Sequence, residues 1–84
     1  MLKQNEELKK AGLKATLPRI KIMEVLASTA IKEEAHFSAE DIYKELISNN
    51  EDIGLATIYR VLTQFEAAGM VTKHHFENSK AVYE

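Results

Sequence analysis

The chain has no cysteine. That excludes disulfide scaffolds, thiolate nucleophiles and cysteine-based zinc sites together. It has no long apolar run either. Stretches such as Val25-Leu26-Ala27 are only a few residues long, far short of what crosses a bilayer. The first turns carry Lys3, Glu6, Glu7 and Lys9, so the apolar core of a signal peptide is missing there. There is one proline among 84 residues, and collagen-like or disordered compositions do not apply. No nucleophile–base pair stands out, so an enzymatic reading has no constellation to rest on. What remains is one small intracellular domain spanning residues 1–84, with one core and room to bury about 60% of its unfolded surface.

Charge is scarce only in the total. Eleven basic and thirteen acidic residues give a net of −2, which reads at first as an argument against nucleic acid. By position the picture changes. Residues 1–21 hold six basic residues against Glu6 and Glu7, a net of +4. Residues 22–53 hold Lys32 and Lys44 against eight acids, a net of −6, and residues 54–84 balance. The two charged blocks read either as solvated helix faces or as a basic arm suited to phosphate beside an acidic flank.

The pattern predicts four helices and a hairpin. Residues 2–11 are helix-compatible, and Gly12 is a natural stop. Thr16 can cap a second helix with Pro18 in its first turn. Ile20, Met23, Leu26 and Ala27 then recur at helical spacing, with Ile22 and Val25 widening the face, as far as about Thr29. Residues 31–37 read as polar and irregular. Ser38 with Asp41 three residues on resembles a capping box, and the pairs Ile42, Leu46 and Tyr43, Ile47 make residues 38–48 amphipathic. Residues 49–52 are turn chemistry. Leu55, Ile58, Val61, Leu62 and Phe65 form another stripe, stopped by Gly69. Residues 70–76 alternate like a strand, residues 77–80 read as a turn, and residues 81–84 as a second strand. The expected fold is mainly α with a small β-hairpin, a winged helix-turn-helix; such a hairpin must pack on the helices to persist.

The helix over residues 55–68 carries the sharpest functional pattern. Opposite its apolar stripe lie Ala56, Arg60, Thr63, Gln64 and Ala67, flanked by Thr57 and Tyr59, with no acid before Glu66. Ala56 permits close approach to a groove and Thr57 can donate to phosphate. Arg60 can reach guanine O6 and N7 in bidentate fashion, and Tyr59 can pack on a thymine methyl. The bland alternative makes Tyr59 a boundary residue of the core and Arg60 a solvated charge.

His36 stands in a loop before a helix, where a surface or capping role is the common one. His74 and His75 are neighbours in an expected strand, point to opposite faces and cannot chelate together. The acids Glu33, Glu34, Glu40 and Asp41 lack the alternation of a calcium loop.

Several of these segments resemble the ferric uptake regulator family. They are Lys9-Lys10-Ala11-Gly12-Leu13-Lys14, Thr16-Leu17-Pro18-Arg19, Ser38-Ala39-Glu40-Asp41-Ile42-Tyr43 and, above all, residues 53–62, Ile-Gly-Leu-Ala-Thr-Ile-Tyr-Arg-Val-Leu. Phe65, Ala68-Gly69 and Val71 continue the match over essentially the whole chain. The first two motifs look most like the iron branch, with zinc, peroxide and manganese relatives as alternatives. The resemblance implies the DNA-binding domain of a cytoplasmic, bacterial, metal-responsive repressor of iron-uptake genes. It implies major-groove reading by Tyr59 and Arg60 and minor-groove entry by Lys14. The expected DNA-binding set is Lys14, Arg19, Ala56, Thr57, Tyr59, Arg60 and Lys73. The implied partners are an AT-rich palindromic duplex and, in the full-length protein, a second copy; this chain alone is expected to be a monomer. Ferrous iron and zinc are the family's metals. The family's hinge metal site falls on His36 and Glu84, and its later two histidines have no counterpart here, so no tight metal site is expected in this chain. The acid-rich middle leaves one further alternative, a winged helix used for protein–protein contact.

Overall fold

Helix ends, more than helix interiors, organise this chain. The computed structural model describes residues 2–29, 37–75 and 81–83. Their order is α1 (Leu2–Lys10), α2 (Leu17–Thr29), α3 (Ala39–Ser48), α4 (Leu55–Ala67), β1 (Lys73–His75) and β2 (Ala81–Tyr83). Three of the helices stop by the same device, a left-handed residue that lets two backbone N–H groups fold back onto the last turn. After α1, Gly12 sits at φ 78°, with its N–H on the Lys9 carbonyl at 3.0 Å and that of Leu13 on the Leu8 carbonyl at 2.8 Å. After α4, Gly69 sits at φ 76°, with bonds of 3.0 Å to Glu66 and 2.8 Å from Met70 to Phe65. After α3 the left-handed residue is Asn50, at φ 60°, and Glu51 bonds to Leu46 at 2.8 Å.

The starts follow the expected chemistry. The hydroxyl of Thr16 accepts from the Arg19 N–H at 3.4 Å, one turn into α2. Ser38 and Asp41 form a reciprocal capping box, both bonds 3.1 Å long. Aspartate thus serves in place of the usual glutamate. By contrast, α4 begins at Gly54 with no side-chain cap.

Helix α2 lies at the centre, in contact with α1, α3 and α4; α3 and α4 pack on each other, and β2 packs on α3. Phe65, Leu8, Ile22, Ile42, Leu46, Ile58 and Leu62 are fully buried, each worth about 1.5–3 kcal/mol of burial. Two expectations need correction. On α2 the deep positions are Ile22, Met23 and Val25, while Ile20 and Leu26 are half-buried and Ala27 is exposed. A helix with neighbours on three sides buries more than one stripe. On α3 Ala39, Ile42 and Leu46 are buried, whereas Tyr43 and Ile47 are exposed.

The hairpin is shorter than the alternation suggested. Residues 70–72 are not strand, because Met70 is spent on closing α4 and Val71 turns into the core. Pairing begins at Lys73, in the antiparallel register Lys73↔Tyr83, His74↔Val82, His75↔Ala81. The expected turn at 77–80 lies outside the described residues. Phe37, read as irregular, instead extends the sheet: its N–H donates to Tyr83 O at 3.1 Å, and the Tyr83 N–H donates to Phe37 O at 2.7 Å. The ribbon is thereby tied to the start of α3, which is how so short a hairpin is held.

Candidate nucleic-acid interface

The inner face of α4 fixes its outer one. Ile58, Val61, Leu62 and Phe65 are buried against α2 and α3. At about 100° per residue this turns Ala56, Tyr59, Arg60, Thr63 and Ala67 to solvent, and all five are exposed. Thr57 is half-buried at the edge. The first turn contains no acid and has no side-chain cap at Gly54, so its backbone N–H groups keep the partial positive charge of a helix start. Such an end favours an anion such as phosphate.

Two exposed groups on this face are already engaged. The Tyr59 hydroxyl donates to Glu40 Oε2 at 2.8 Å, and the Thr63 hydroxyl donates to the Tyr59 carbonyl at 2.9 Å. The bond to Glu40 raises the Tyr59 hydroxyl above its ordinary pKa, with burial and the negative charge of Glu40 adding to it. A carboxylate therefore stands beside the face proposed to meet DNA. The segment count gave residues 22–53 only a net acidic charge and did not single out Glu40. No periodicity links two residues 19 apart.

Lys14 is exposed in the connection between α1 and α2. Arg19, half-buried on α2, directs its guanidinium inward. Nε and Nη2 both donate to Gln64 Oε1, at 3.1 and 2.9 Å, and Nη1 donates to the Lys14 carbonyl at 2.8 Å. The Lys14 connection and the exposed side of α4 therefore belong to one surface. Lys73 is exposed on β1, whose partner strand β2 packs on α3.

Three further acids, Glu24, Glu45 and Glu51, gather elsewhere. Lys21, about 200° around α2 from Arg19, pairs with Glu51 at 2.9 Å and Glu24 at 3.8 Å. The bond to Glu51 and the charge of Glu24 raise its pKa. These residues line a cleft of about 290 Å³ with Val25, Glu45, Leu46 and Asn49. Lys21 thus does not contribute to the basic arm as the segment count implied.

His36 and Glu84, the metal candidates, both lie outside the described residues. Among the described residues no group of three or more His, Asp or Glu converges as a metal site. Among them, too, no helix is long and apolar enough to cross a membrane.

Comparison with known proteins agrees with this geometry. The model of the ferric uptake regulator family matches residues 10–84. The ferric uptake regulation protein of Pseudomonas fluorescens is 60% identical over 81 residues, covering 96% of this chain and 63% of that protein. The solved ferric uptake regulator of Pseudomonas aeruginosa with manganese superposes with a TM-score of 0.87 at 59% identity, over 96% of this chain and 58% of that one. That of Vibrio cholerae gives 0.86 at 59% identity, over 95% and 59%. The chain thus spans about 60% of the length of these relatives.

Proposed function

Because this chain belongs to the ferric uptake regulator family, we propose that it is the sequence-specific DNA-binding part of a metal-responsive transcriptional repressor. In this reading α4 enters the major groove by its N-terminal half. Arg60 reads a guanine edge, Tyr59 packs on a thymine methyl, and Ala56 and Thr57 allow close approach to the backbone. Lys14 reaches into the adjacent minor groove, where narrow AT-rich tracts concentrate negative potential. Lys73 supplies positive charge around that footprint, and Arg19, expected to touch DNA, is bonded to Gln64 and the Lys14 carbonyl. The observation that carries the reading is the two-sided α4: four buried apolar anchors and, opposite them, an exposed face led by an uncapped, acid-free helix start.

The target is double-stranded DNA, an AT-rich palindrome in the case of the whole dimeric protein. One copy of this chain engages one half-site, without the gain in affinity that tethering two copies provides. Ferrous iron is the proposed effector of the whole protein. His36 and Glu84 would contribute to its hinge site together with ligands beyond those in this chain. Two donors alone rarely hold a transition metal, so no step of DNA reading is routed through one here.

The test is selection of a half-site from a randomised duplex library, followed by binding over a salt series. Arg60→Ala should cost about 1–3 kcal/mol and relax one base position. Lys14→Ala should weaken AT-rich sites more than GC-rich ones. An Arg60→Ala chain that still separates selected from scrambled DNA as the parent does would remove the base-reading role. Binding to a protein partner with no salt-dependent DNA affinity would remove the function.

A further inference from the structure

The guanidinium of Arg19 makes three bonds, and none of them points away from the protein. Two converge on Gln64 Oε1 and one ends on the Lys14 carbonyl. Gln64 stands one helical turn after Arg60, so it shares the side of α4 that presents Arg60. Lys14 precedes the capping hydroxyl of Thr16, and the backbone before it is pinned by the Leu13 bond to Leu8. The connection is thus held at both ends, and in its middle by Arg19.

We propose that Arg19 is a positioning residue that locks the Lys14 connection to the recognition helix, so that minor-groove and major-groove contacts are presented as one preformed unit. The proposal rests on the DNA-binding reading above and assigns Arg19 a role that acts through Lys14 and Gln64. Its physical basis is the fork. Guanidinium donors diverge in a fixed plane, and here three different nitrogens reach a side-chain amide and a backbone carbonyl at once, whereas an ammonium offers its donors from a single nitrogen with no such fork. Order set before binding is not charged against affinity at binding. A loose Lys14 connection would still carry its charge, but it would no longer hold the charge at a fixed distance from Arg60.

The experiment uses three duplexes: the selected half-site, the same site with its flanking A·T pairs changed to G·C, and a scrambled control. Parent, Arg19→Lys, Gln64→Ala, Lys14→Ala and the Arg19→Lys, Lys14→Ala double variant are titrated over a salt series. In the parent, Lys14→Ala should weaken the AT-flanked site about fivefold or more; in the Arg19→Lys background the same change should cost less than about twofold, a coupling of the size seen between residues in contact. Arg19→Lys and Gln64→Ala should each lose most of the preference for the A·T flank while still separating selected from scrambled DNA. Arg19→Lys keeps the charge and Gln64→Ala keeps the arginine, so the shared loss isolates the bond. If both variants keep the flank preference, the proposal is overturned. It is overturned equally if Arg19→Ala, titrated alongside them, weakens all three duplexes alike and lowers the salt slope by about one, since that marks a direct phosphate contact. A parent chain that binds all three duplexes equally overturns the DNA reading itself.

Discussion

Gly69 closes the recognition helix, and replacing it with alanine isolates one physical effect. Its φ is 76°, in the left-handed region. A Cβ built there meets no atom within 4 Å, so no collision accompanies the change. What remains is backbone strain, about 1–2 kcal/mol for an L-residue with a Cβ. It is offset in part by about 0.4–1 kcal/mol, because alanine leaves the unfolded chain less freedom to lose. The net destabilisation is about 1 kcal/mol, and in a domain of this size each 1 kcal/mol moves the Tm by about 4–8 °C. Asn50 provides the internal control. It holds the same left-handed place after α3, at φ 60°, and asparagine tolerates that region better than alanine does. Asn50→Ala should therefore lower the Tm, while Asn50→Gly should leave it unchanged or slightly higher. The assay is thermal unfolding by circular dichroism, with urea unfolding to confirm that the m-value is unchanged. A Gly69→Ala chain with a Tm at or above that of the parent would refute the reasoning. So would an Asn50→Gly chain melting several degrees lower.

Other consequences are more direct. Phe65 is fully buried on the inner face of α4; Phe65→Ala should cost about 3–5 kcal/mol, and calorimetry should show the Tm lowered by about 12 °C or more. Ser38→Ala removes one half of a buried capping box and should cost about 1 kcal/mol in urea unfolding, whereas Ser38→Asp, which can still accept from the Asp41 N–H, should cost less than Ser38→Ala. Burial raises the Tyr83 hydroxyl above its ordinary pKa of about 10, with the charges of Glu66 and Glu40 adding to it. The folded state then keeps a proton that the unfolded state gives up, so this contribution is complete below pH about 10 and is lost as pH rises through the folded value. Tyr83→Phe should accordingly make stability fall less steeply between pH 10 and 11, as read by urea unfolding at each pH.

Much of the fold was legible because it is written in local chemistry. Thr16 with Pro18, Ser38 with Asp41, and the glycines at 12 and 69 each act within about one turn of their own position, so a linear reading can find them. The two faces of α4 were legible for the same reason, since one periodicity sorts buried Ile58, Val61, Leu62 and Phe65 from exposed Ala56, Tyr59 and Arg60. Helix α2 defeated that logic: it meets α1, α3 and α4, and no single stripe marks its deepest residues.

What only the tertiary structure decided are the contacts between residues distant in the chain. The bond from Arg19 to Gln64 crosses 45 positions and that from Tyr59 to Glu40 crosses 19. Phe37 meets Tyr83 in a single antiparallel bridge, and Lys21 is drawn to Glu51. Each depends on how helices are set against one another, which is fixed by packing of the whole core and carries no local signature. The sequence by itself determined the four helices, where they start and stop to within about a residue, and the face that α4 shows to solvent. The folded chain decided which charges reach that face: Arg19 was turned inward to hold the Lys14 connection, Lys21 was paired away, and Glu40 was placed beside Tyr59.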